Sequence, residues 1–312
     1  MGEIQRVALI GLGAMGSFFA PGLQRALGDG AYVIAEGERK ARLERGMTIN
    51  GVRYRFPVVE PGGAAAPADL VIVAVKEYSL DQALEQIRGH VGPDTLLLPV
   101  LNGLDCAQRV GAVYGMERVL YGSMWVAGHM EDGAAFCETD TGLIRFGEAR
   151  NDPPSPRVQA VEALFRRAGI RCSVEKDMLR CIWSKYLGNV SENLPCALLG
   201  VPYGAFQSGE DADAIRHMLM EEVLALAAAE GVALTREDVA RRDKIAHRPD
   251  YVAQRPSTLQ DLQRGRPTEV ALLAGAAVRL GEKHGIPTPV CRVMYHGIRV
   301  LEQKNAGTIP GL

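Results

Sequence analysis

The 312-residue sequence has few cysteines, and their positions indicate neither a disulfide framework nor a metal site. None forms a CxxC pair or stands in a Cys/His run with zinc spacing. We therefore expect free thiols in a reducing compartment, and no bound metal. The cysteines are Cys106, Cys137, Cys172, Cys181, Cys196 and Cys291.

Long hydrophobic runs are absent as well. No stretch reaches the roughly 18 consecutive apolar residues that a membrane-spanning helix needs. The apolar stretch at residues 7–13 is too short for a secretory signal sequence. These absences predict a cytoplasmic protein without a membrane partner.

An excess of charge of either sign is also missing, since 35 Lys and Arg residues face 37 Asp and Glu residues. Nucleic-acid-binding proteins usually carry clustered basic residues and a markedly basic pI, whereas the pI here is about 6.3. Nucleic acid is therefore not an expected partner. The apolar content of 47% is typical of a globular protein, and the length allows two domains.

In the first half of the chain, short apolar runs rich in β-branched residues alternate with stretches of helical periodicity. Strands are predicted at residues 6–10, 31–35, 68–75, 95–100 and 170–174, and helices at 17–27, 80–87 and 158–168. Asn50-Gly51 predicts a hairpin within residues 48–59. Apolar runs of this kind are typical of parallel strands buried on both faces, so we predict an α/β Rossmann-like, doubly wound sheet.

Strand signals disappear after about residue 175, and long stretches with helical spacing follow. These stretches are residues 178–192, 211–230, 256–264 and 267–284. A shift of this kind marks a domain boundary. The sequence predicts a dinucleotide-binding Rossmann-like domain over residues 1–175 and an all-α domain over residues 176–312.

A glycine-rich turn, Gly11-Leu12-Gly13-Ala14-Met15-Gly16, lies between the first predicted strand and helix. In this context GxGxxG is a dinucleotide fingerprint rather than a turn without a ligand. Gly11 permits the tight turn, Gly13 leaves room for the pyrophosphate, and Gly16 allows close packing of helix and strand. The N–H groups at the helix start would face the phosphates.

Two polar residues follow later strands directly. Lys76 and Asn102 each stand just beyond the carboxyl end of a predicted parallel strand, where ligands of such sheets bind. A solvated surface charge and a simple Asn-Gly turn are the alternative interpretations.

Lys185, Asn189 and Asn193 recur every four residues and so share one face of a predicted helix. Most of the remaining helix surface is apolar, which indicates burial, and buried polar groups need partners. A ligand carboxylate and a purely structural role stay open as explanations. Pro195 is expected to kink or end this helix.

Two further polar residues have simple structural explanations. Ser257 opens a predicted helix, so capping explains it. Glu269 stands near the start of the next predicted helix, where its charge favours the helix dipole.

Taken together, the motifs resemble those of the ketopantoate reductase (2-dehydropantoate 2-reductase) family over essentially the whole chain. They are the glycine turn, Val75-Lys76, Asn102-Gly103, Trp183-Ser184-Lys185 with Asn189 and Asn193, the segments 257–261 and 265–269, and His284-Gly285-Ile286-Pro287-Thr288-Pro289. The resemblance implies a Rossmann domain, a helical substrate domain and a cleft between them.

The resemblance also implies site roles. Lys185 would protonate the carbonyl oxygen as hydride arrives, and Glu269 would bind near that oxygen. Asn189, Asn193 and Ser257 would hold the substrate, while Lys76 and Asn102 would line the cofactor side, with Asn102 near the substrate as well. The implied reaction is reduction of 2-dehydropantoate to pantoate in pantothenate biosynthesis.

Some positions depart from the family pattern. Leu101 stands where glutamine is frequent, Glu192 where an apolar residue is usual, and Ala271 and Ala274 where polar residues are common. Glu36 takes the place of the basic residue that would bind the 2′-phosphate of NADP(H).

The sequence accordingly predicts NADP(H) by a narrow margin. Glu36 favours the unphosphorylated ribose of NAD(H), but Arg39 and Lys40 follow within one turn and offer two cations.

The alternatives are a paralogous reductase of another branched or aromatic 2-oxo acid, and a dinucleotide sensor without catalysis. Retention of Lys185, Asn189 and Glu269 argues against the sensor. A homodimer through the helical domain is a further expectation.

Overall fold

The computed structural model of the protein describes residues 2–63 and 66–310. The chain divides into two compact units, Met1–Cys181 and Ile182–Leu312. The division falls inside the helix Met178–Gly188.

All strands of the described residues lie in the first unit. In chain order they are β1 (Val7–Ile10), β2 (Ala31–Ile34), β3 (Met47–Ile49), β4 (Val52–Tyr54), β5 (Val58–Val59), β6 (Leu70–Val73), β7 (Leu96–Pro99), β8 (Tyr121–Trp125), β9 (Gly128–Glu131), β10 (Ala134–Cys137), β11 (Leu143–Gly147) and β12 (Cys172–Val174).

Helices occur in both units. The α-helices are α1 (Ala14–Leu27), α2 (Gly37–Glu44), α3 (Leu80–Gln86), α4 (Cys106–Tyr114), α5 (Pro156–Arg167), α6 (Met178–Gly188), α7 (Leu194–Leu199), α8 (Ala205–Ser208), α9 (Glu210–Ala229), α10 (Arg236–Ala246), α11 (Ser257–Gln263), α12 (Ala274–His284) and α13 (Pro289–Asn305). A π-helical turn, Asn189–Asn193, joins α6 to α7. Within the described chain, no helix has the length and apolar character needed to cross a bilayer.

The first unit is built on a five-stranded sheet in the order β5-β2-β1-β6-β7, and every pairing within it is parallel. Both faces of the sheet are buried. Val7 and Leu9 of β1 pack into one hydrophobic core, and Ala8 and Ile10 pack into the core on the other face. Burial on both faces explains why the strands are continuous apolar runs, and the predicted doubly wound sheet is confirmed.

Two smaller sheets, β4-β3-β10-β9 and β12-β11-β8, complete the first unit. The hairpin predicted from Asn50-Gly51 is the β3–β4 turn, and both turn residues have positive φ, 47° and 80°. Strands β8 to β11 and helix α4 were not predicted. The edge strand β9 is only partly buried, and it has no apolar run that would indicate a strand.

The described residues of the second unit form helices and loops without a strand, as predicted, although α10 and α13 were not predicted. Its helices support one another through side-chain caps as well as apolar packing. The Glu222 carboxylate on α9 accepts hydrogen bonds from the backbone N–H groups of Val290, at 2.7 Å, and Cys291, at 2.9 Å. A carboxylate at this position satisfies the free N–H groups at the start of α13 and complements its dipole.

Two predicted helix boundaries were wrong. The helix expected to stop at residue 192 continues through the π turn and α7 to Leu199. Proline lacks an N–H and crowds the carbonyl four residues earlier, and the wider π turn directly before Pro195 accommodates both effects. The helix predicted for residues 267–284 begins only at Ala274.

Candidate functional site

The glycine turn of the first unit has the geometry expected of a dinucleotide fingerprint. Gly11 has φ of 94°, and a Cβ there would lie 2.5 Å from the Ala74 carbonyl oxygen. A Cβ at Gly16 would lie 2.1 Å from the Gly11 carbonyl oxygen, whereas a Cβ at Gly13 would meet nothing within 4 Å. Gly11 and Gly16 are therefore required by packing, and Gly13 leaves open space over the turn.

Helix α1 starts immediately after this turn. Its N-cap residue is Gly13, and no side chain caps the helix. The N–H groups of Ala14, Met15 and Gly16 therefore have no partner from a capping side chain at the positive end of a 14-residue helix. This arrangement suits the phosphates of a dinucleotide.

Lys76 and Asn102 lie at the same edge of the sheet as the glycine turn. Lys76 follows β6 and Asn102 follows β7, and these neighbouring strands run parallel to each other and to β1. Strand order changes direction at β1, since β2 lies on one side and β6 on the other. Ligands of doubly wound sheets bind beyond the carboxyl ends of the strands at such a switch point.

Glu36 lies beyond the carboxyl end of β2, as the N-cap residue of α2. It is exposed, and its Oε1 accepts a hydrogen bond from Nε2 of Gln86 at 2.7 Å. Lys40 is bound elsewhere, because its Nζ lies 2.9 Å from Glu60 and 3.9 Å from Glu44. Arg39 is exposed on α2.

In the second unit, the π turn carries the two predicted substrate amides. Asn189 begins the turn and Asn193 ends it, and Nδ2 of Asn193 lies 3.3 Å from Oδ1 of Asn189. Lys185 stands one turn earlier on α6, half-buried between the buried residues Trp183 and Tyr186. π turns inside α-helices occur frequently at functional sites.

Glu192, also in the π turn, forms a buried ion pair that the sequence did not indicate. Its Oε1 accepts from Nε of Arg242 on α10 at 2.8 Å, and its Oε2 contacts Nη2 of the same guanidinium. The side chains are only 1% and 12% exposed. Burial alone would lower the pKa of Arg242, but the carboxylate beside it holds that pKa above its ordinary value.

Two stacked tyrosines cover the π turn. Tyr203 donates a hydrogen bond to Oδ1 of Asn193 at 2.7 Å, and Tyr251 donates to Oε2 of Glu192 at 3.3 Å. Their rings are 4.4 Å apart and nearly parallel. Apart from the unusual identity of Glu192, no sequence signal indicated that these residues would join the site.

The positions of Ser257 and Glu269 do not fit the structural roles that the sequence suggested for them, helix capping and a charge at a helix start. Ser257 is exposed as the first residue of α11, and Pro256 holds the N-cap position, so capping by Ser257 is not seen. Glu269 is 9% exposed in a turn that precedes α12 by more than one helical turn. The interpretation of Glu269 as a helix-start charge was therefore wrong, because the dipole acts only within the first turn.

Each unit has its own set of polar groups. The first presents backbone N–H groups and open space at the switch point of a Rossmann-type sheet. The second presents a lysine on α6 and, one turn later, two amides in contact with each other. This fold and these groups define an oxidoreductase that uses a nicotinamide dinucleotide.

Comparison with known proteins identifies the family. The profile described as "Ketopantoate reductase PanE/ApbA" matches residues 7–151, and "Ketopantoate reductase PanE/ApbA C terminal" matches residues 177–302. The chain belongs to the ketopantoate reductase family, as its motifs suggested, and is an NAD(P)-dependent oxidoreductase.

Individual relatives extend over the whole chain. A 2-dehydropantoate 2-reductase from Streptococcus pyogenes is 29% identical, with 95% of this chain and 97% of that protein covered. The structure of a PanE/ApbA family ketopantoate reductase from Ralstonia eutropha aligns with a TM-score of 0.82 at 27% identity, covering 96% of this chain and 99% of that one. A D-mandelate dehydrogenase with NADH and anilino(oxo)acetate shares the fold, with a TM-score of 0.86 at 22% identity over 96% of this chain and 99% of that one.

Proposed function

We propose that this protein reduces 2-dehydropantoate (ketopantoate) to pantoate, the reaction of pantothenate biosynthesis, with hydride from a reduced nicotinamide cofactor. The observation that supports this most is Lys185 one turn before a π turn that holds the amides of Asn189 and Asn193 in contact. The reduced nicotinamide supplies the hydride, and the protein orients the reactants.

The roles of the protein groups follow from the negative charge that develops on the substrate during the reaction. Hydride addition to a ketone places negative charge on its oxygen. The Lys185 ammonium stabilises that charge and donates the proton from Nζ. Asn189 and Asn193 hold the carboxylate and oxygen atoms of the substrate by N–H donation, while Ser257 and Glu269 complete the substrate contacts.

For the cofactor, the contacts around Glu36 favour NADH over NADPH. Of the two cations that supported NADP(H), Lys40 is bound to Glu60 and Glu44, so only Arg39 is left to bind a 2′-phosphate. The Glu36 carboxylate is held by Gln86 and would repel a phosphate, but it can accept hydrogen bonds from ribose hydroxyls. We therefore propose NADH as the preferred cofactor of this chain.

A second candidate substrate is an aromatic 2-oxo acid. The dehydrogenase that shares the fold was solved with anilino(oxo)acetate, and Leu101, Ala271 and Ala274 replace residues that are commonly polar in the family. Apolar replacements would suit a substrate with fewer hydroxyl groups than ketopantoate.

The test is a 340 nm assay with NADH and NADPH against a panel of 2-oxo acids that includes ketopantoate and phenylglyoxylate. We expect the highest kcat/KM with ketopantoate. A tenfold preference for phenylglyoxylate would establish the aromatic reductase instead. Cofactor binding with no oxidation on any acid would support the sensor.

A further inference from the structure

The stacked pair Tyr203 and Tyr251 makes two different contacts on the π turn. Both rings pack in one apolar cluster, with Cys196 and Phe206. The hydroxyl of Tyr203 donates to the Asn193 amide oxygen, whereas that of Tyr251 donates to Glu192. Tyr203 is buried and Tyr251 is half-buried, and each hydroxyl has its own acceptor on the π turn.

Tyr203 keeps its hydroxyl proton at ordinary pH and donates it in a hydrogen bond to Asn193. Burial raises the pKa of Tyr203 well above its usual value, and Tyr251 and Glu192 raise it further. The phenol therefore keeps its proton. In the structure this donor meets Oδ1 of the Asn193 amide, so the amide oxygen and not its NH2 group faces Tyr203.

The hydrogen bond from Tyr203 orients both amides of the π turn. With Oδ1 of Asn193 facing Tyr203, Nδ2 faces Asn189, where it donates to Oδ1 at 3.3 Å. Both amide oxygens then accept hydrogen bonds from the protein. The N–H groups not used in this chain, one on Asn193 and two on Asn189, are donors.

The π turn that carries these amides is itself held in place. The buried pair of Glu192 and Arg242 ties it to α10, and a Cβ at Gly188 would lie 2.7 Å from Cζ of Arg242. The guanidinium thus packs closely on the backbone just before the turn. Because the turn is fixed on this side, the orientation of the Asn193 amide depends on its hydrogen bond to Tyr203.

We propose that Tyr203 is a positioning residue that orients Asn189 and Asn193 as an N–H donor surface for the electron-rich oxygens of a 2-oxo acid. The proposal rests on the proposed function, in which these amides hold the substrate. Tyr203 itself need not touch the substrate, because it acts through the orientation of the Asn193 amide.

The test compares Tyr203→Phe with the control Tyr251→Phe, using steady-state kinetics on the best 2-oxo acid found in the panel. Each variant loses one hydroxyl and one hydrogen bond from the same stack. We expect Tyr203→Phe to raise KM for the 2-oxo acid about three- to tenfold, the range set by the net value of one hydrogen bond. Its KM for the cofactor should not change, and Tyr251→Phe, whose hydroxyl contacts Glu192 and neither amide, should raise the KM for the 2-oxo acid less.

Equal KM values for the two variants, with similar melting temperatures, would overturn the proposal. If Tyr203→Phe does not fold, Asn193→Asp replaces it as the test variant. A carboxylate there still accepts from Tyr203 but turns the donor toward Asn189 into an acceptor. KM for the 2-oxo acid should rise at least about tenfold through the lost donor and the charge repulsion, and an unchanged KM would refute the N–H donor surface.

Failure of the proposed function is a separate outcome, seen when the wild-type protein reduces no acid of the panel. The same two tyrosine variants are then compared by calorimetric titration with oxamate, on protein saturated with oxidised cofactor. Weaker binding by Tyr203→Phe alone supports the positioning role. Equal binding by both variants, or no binding by the wild type, overturns it.

Discussion

A lysine ammonium is a compact charge with three N–H donors, and Lys185 carries one on a helix whose neighbouring residues Trp183, Tyr186 and Leu187 are buried. A charge in such apolar surroundings interacts more strongly with developing charge than one in water. The alignment of Lys185 with Asn189 and Asn193 is therefore more consistent with proton donation to a bound substrate than with a solvated surface stripe.

Replacing Lys185 by alanine should lower kcat by about a hundredfold or more, the usual range for a positioned acid, because stabilisation of the alkoxide and its proton source are both lost. Cofactor affinity, measured by fluorescence titration, should stay nearly the same. Lys283→Ala is the control, since it removes an exposed cation of the same unit that is paired with Glu230. Near wild-type kcat in Lys185→Ala would show that the proton comes from another group.

The Glu36 carboxylate should determine the preference between NADH and NADPH. NADH should exceed NADPH in kcat/KM by at least tenfold, which corresponds to about 1.4 kcal/mol. Glu36→Arg should move the ratio toward NADPH by replacing a repelling charge with a phosphate partner. Glu38→Arg makes the same charge change on the exposed face of α2 and should leave the ratio unchanged. A wild-type preference for NADPH would contradict the assignment of Glu36 and restore the phosphate role of Arg39.

The helix formed by α6, the π turn and α7 carries most of the polar residues of the second unit's candidate site. An α-helical ladder cannot pass Pro195 undisturbed, and the π turn absorbs the disturbance without ending the helix. The same turn carries Asn189, Glu192 and Asn193. One local irregularity therefore positions both amides and the buried carboxylate that ties the helix to α10.

The unfolding free energy of the protein should depend on having both partners of the buried Glu192–Arg242 ion pair. Glu192→Ala leaves a buried guanidinium without its carboxylate and should cost about 3–5 kcal/mol of unfolding free energy, measured by urea denaturation. Glu85→Ala, which breaks the exposed pair with Arg88, should cost less than about 1 kcal/mol.

The double variant Glu192→Leu/Arg242→Met provides a further check of the same pair. It removes both buried charges, and should be more stable than Glu192→Ala because no uncompensated charge is left. Equal losses of unfolding free energy in Glu192→Ala and Glu85→Ala would mean that the buried ion pair contributes no more to stability than the exposed one.

The molecule as a whole consists of two units with cores of different kinds. The first encloses a parallel sheet between two apolar layers, and the second packs helices on one another. The two family profiles divide the chain in the same region, one matching residues 7–151 and the other residues 177–302. Buried thiols in the helical unit can therefore report on the opening of that unit by itself.

Cys196 and Cys291 should resist iodoacetamide at pH 8 in the native protein and react once urea unfolds it. Burial raises the pKa of Cys196 to about 12 and also raises that of Cys291, so neither forms the reactive thiolate. Unfolding returns the pKa of both thiols to roughly 8.5, so that a sizeable fraction of each is thiolate at pH 8. Peptide mapping by mass spectrometry measures the extent of alkylation at each cysteine. The half-buried Cys172 of the first unit serves as the comparison. Rapid native labelling of Cys291 would show that the helical unit opens readily.

The sequence by itself determined the features that depend on neighbouring residues. Continuous apolar runs require strands buried on both faces, and Asn50-Gly51 suits the positive φ angles of a tight hairpin. The glycine turn follows from the same local logic, since Gly11 and Gly16 leave no room for a Cβ. The spacing of Asn189 and Asn193 indicated that the two amides lie close together, and their contact confirms it.

Only the tertiary structure decided which distant groups meet at that face. Glu192 and Arg242 are separated by 50 positions and Glu192 and Tyr251 by 59, and no local pattern relates them. The contact of Tyr203 with Asn193, the late start of α12 before which Glu269 lies, and the pairing of β3 with β10 likewise depend on how segments pack. Local preferences extend over one or two turns, whereas a buried hydrogen bond is decided by whichever partner the fold brings within about 3 Å.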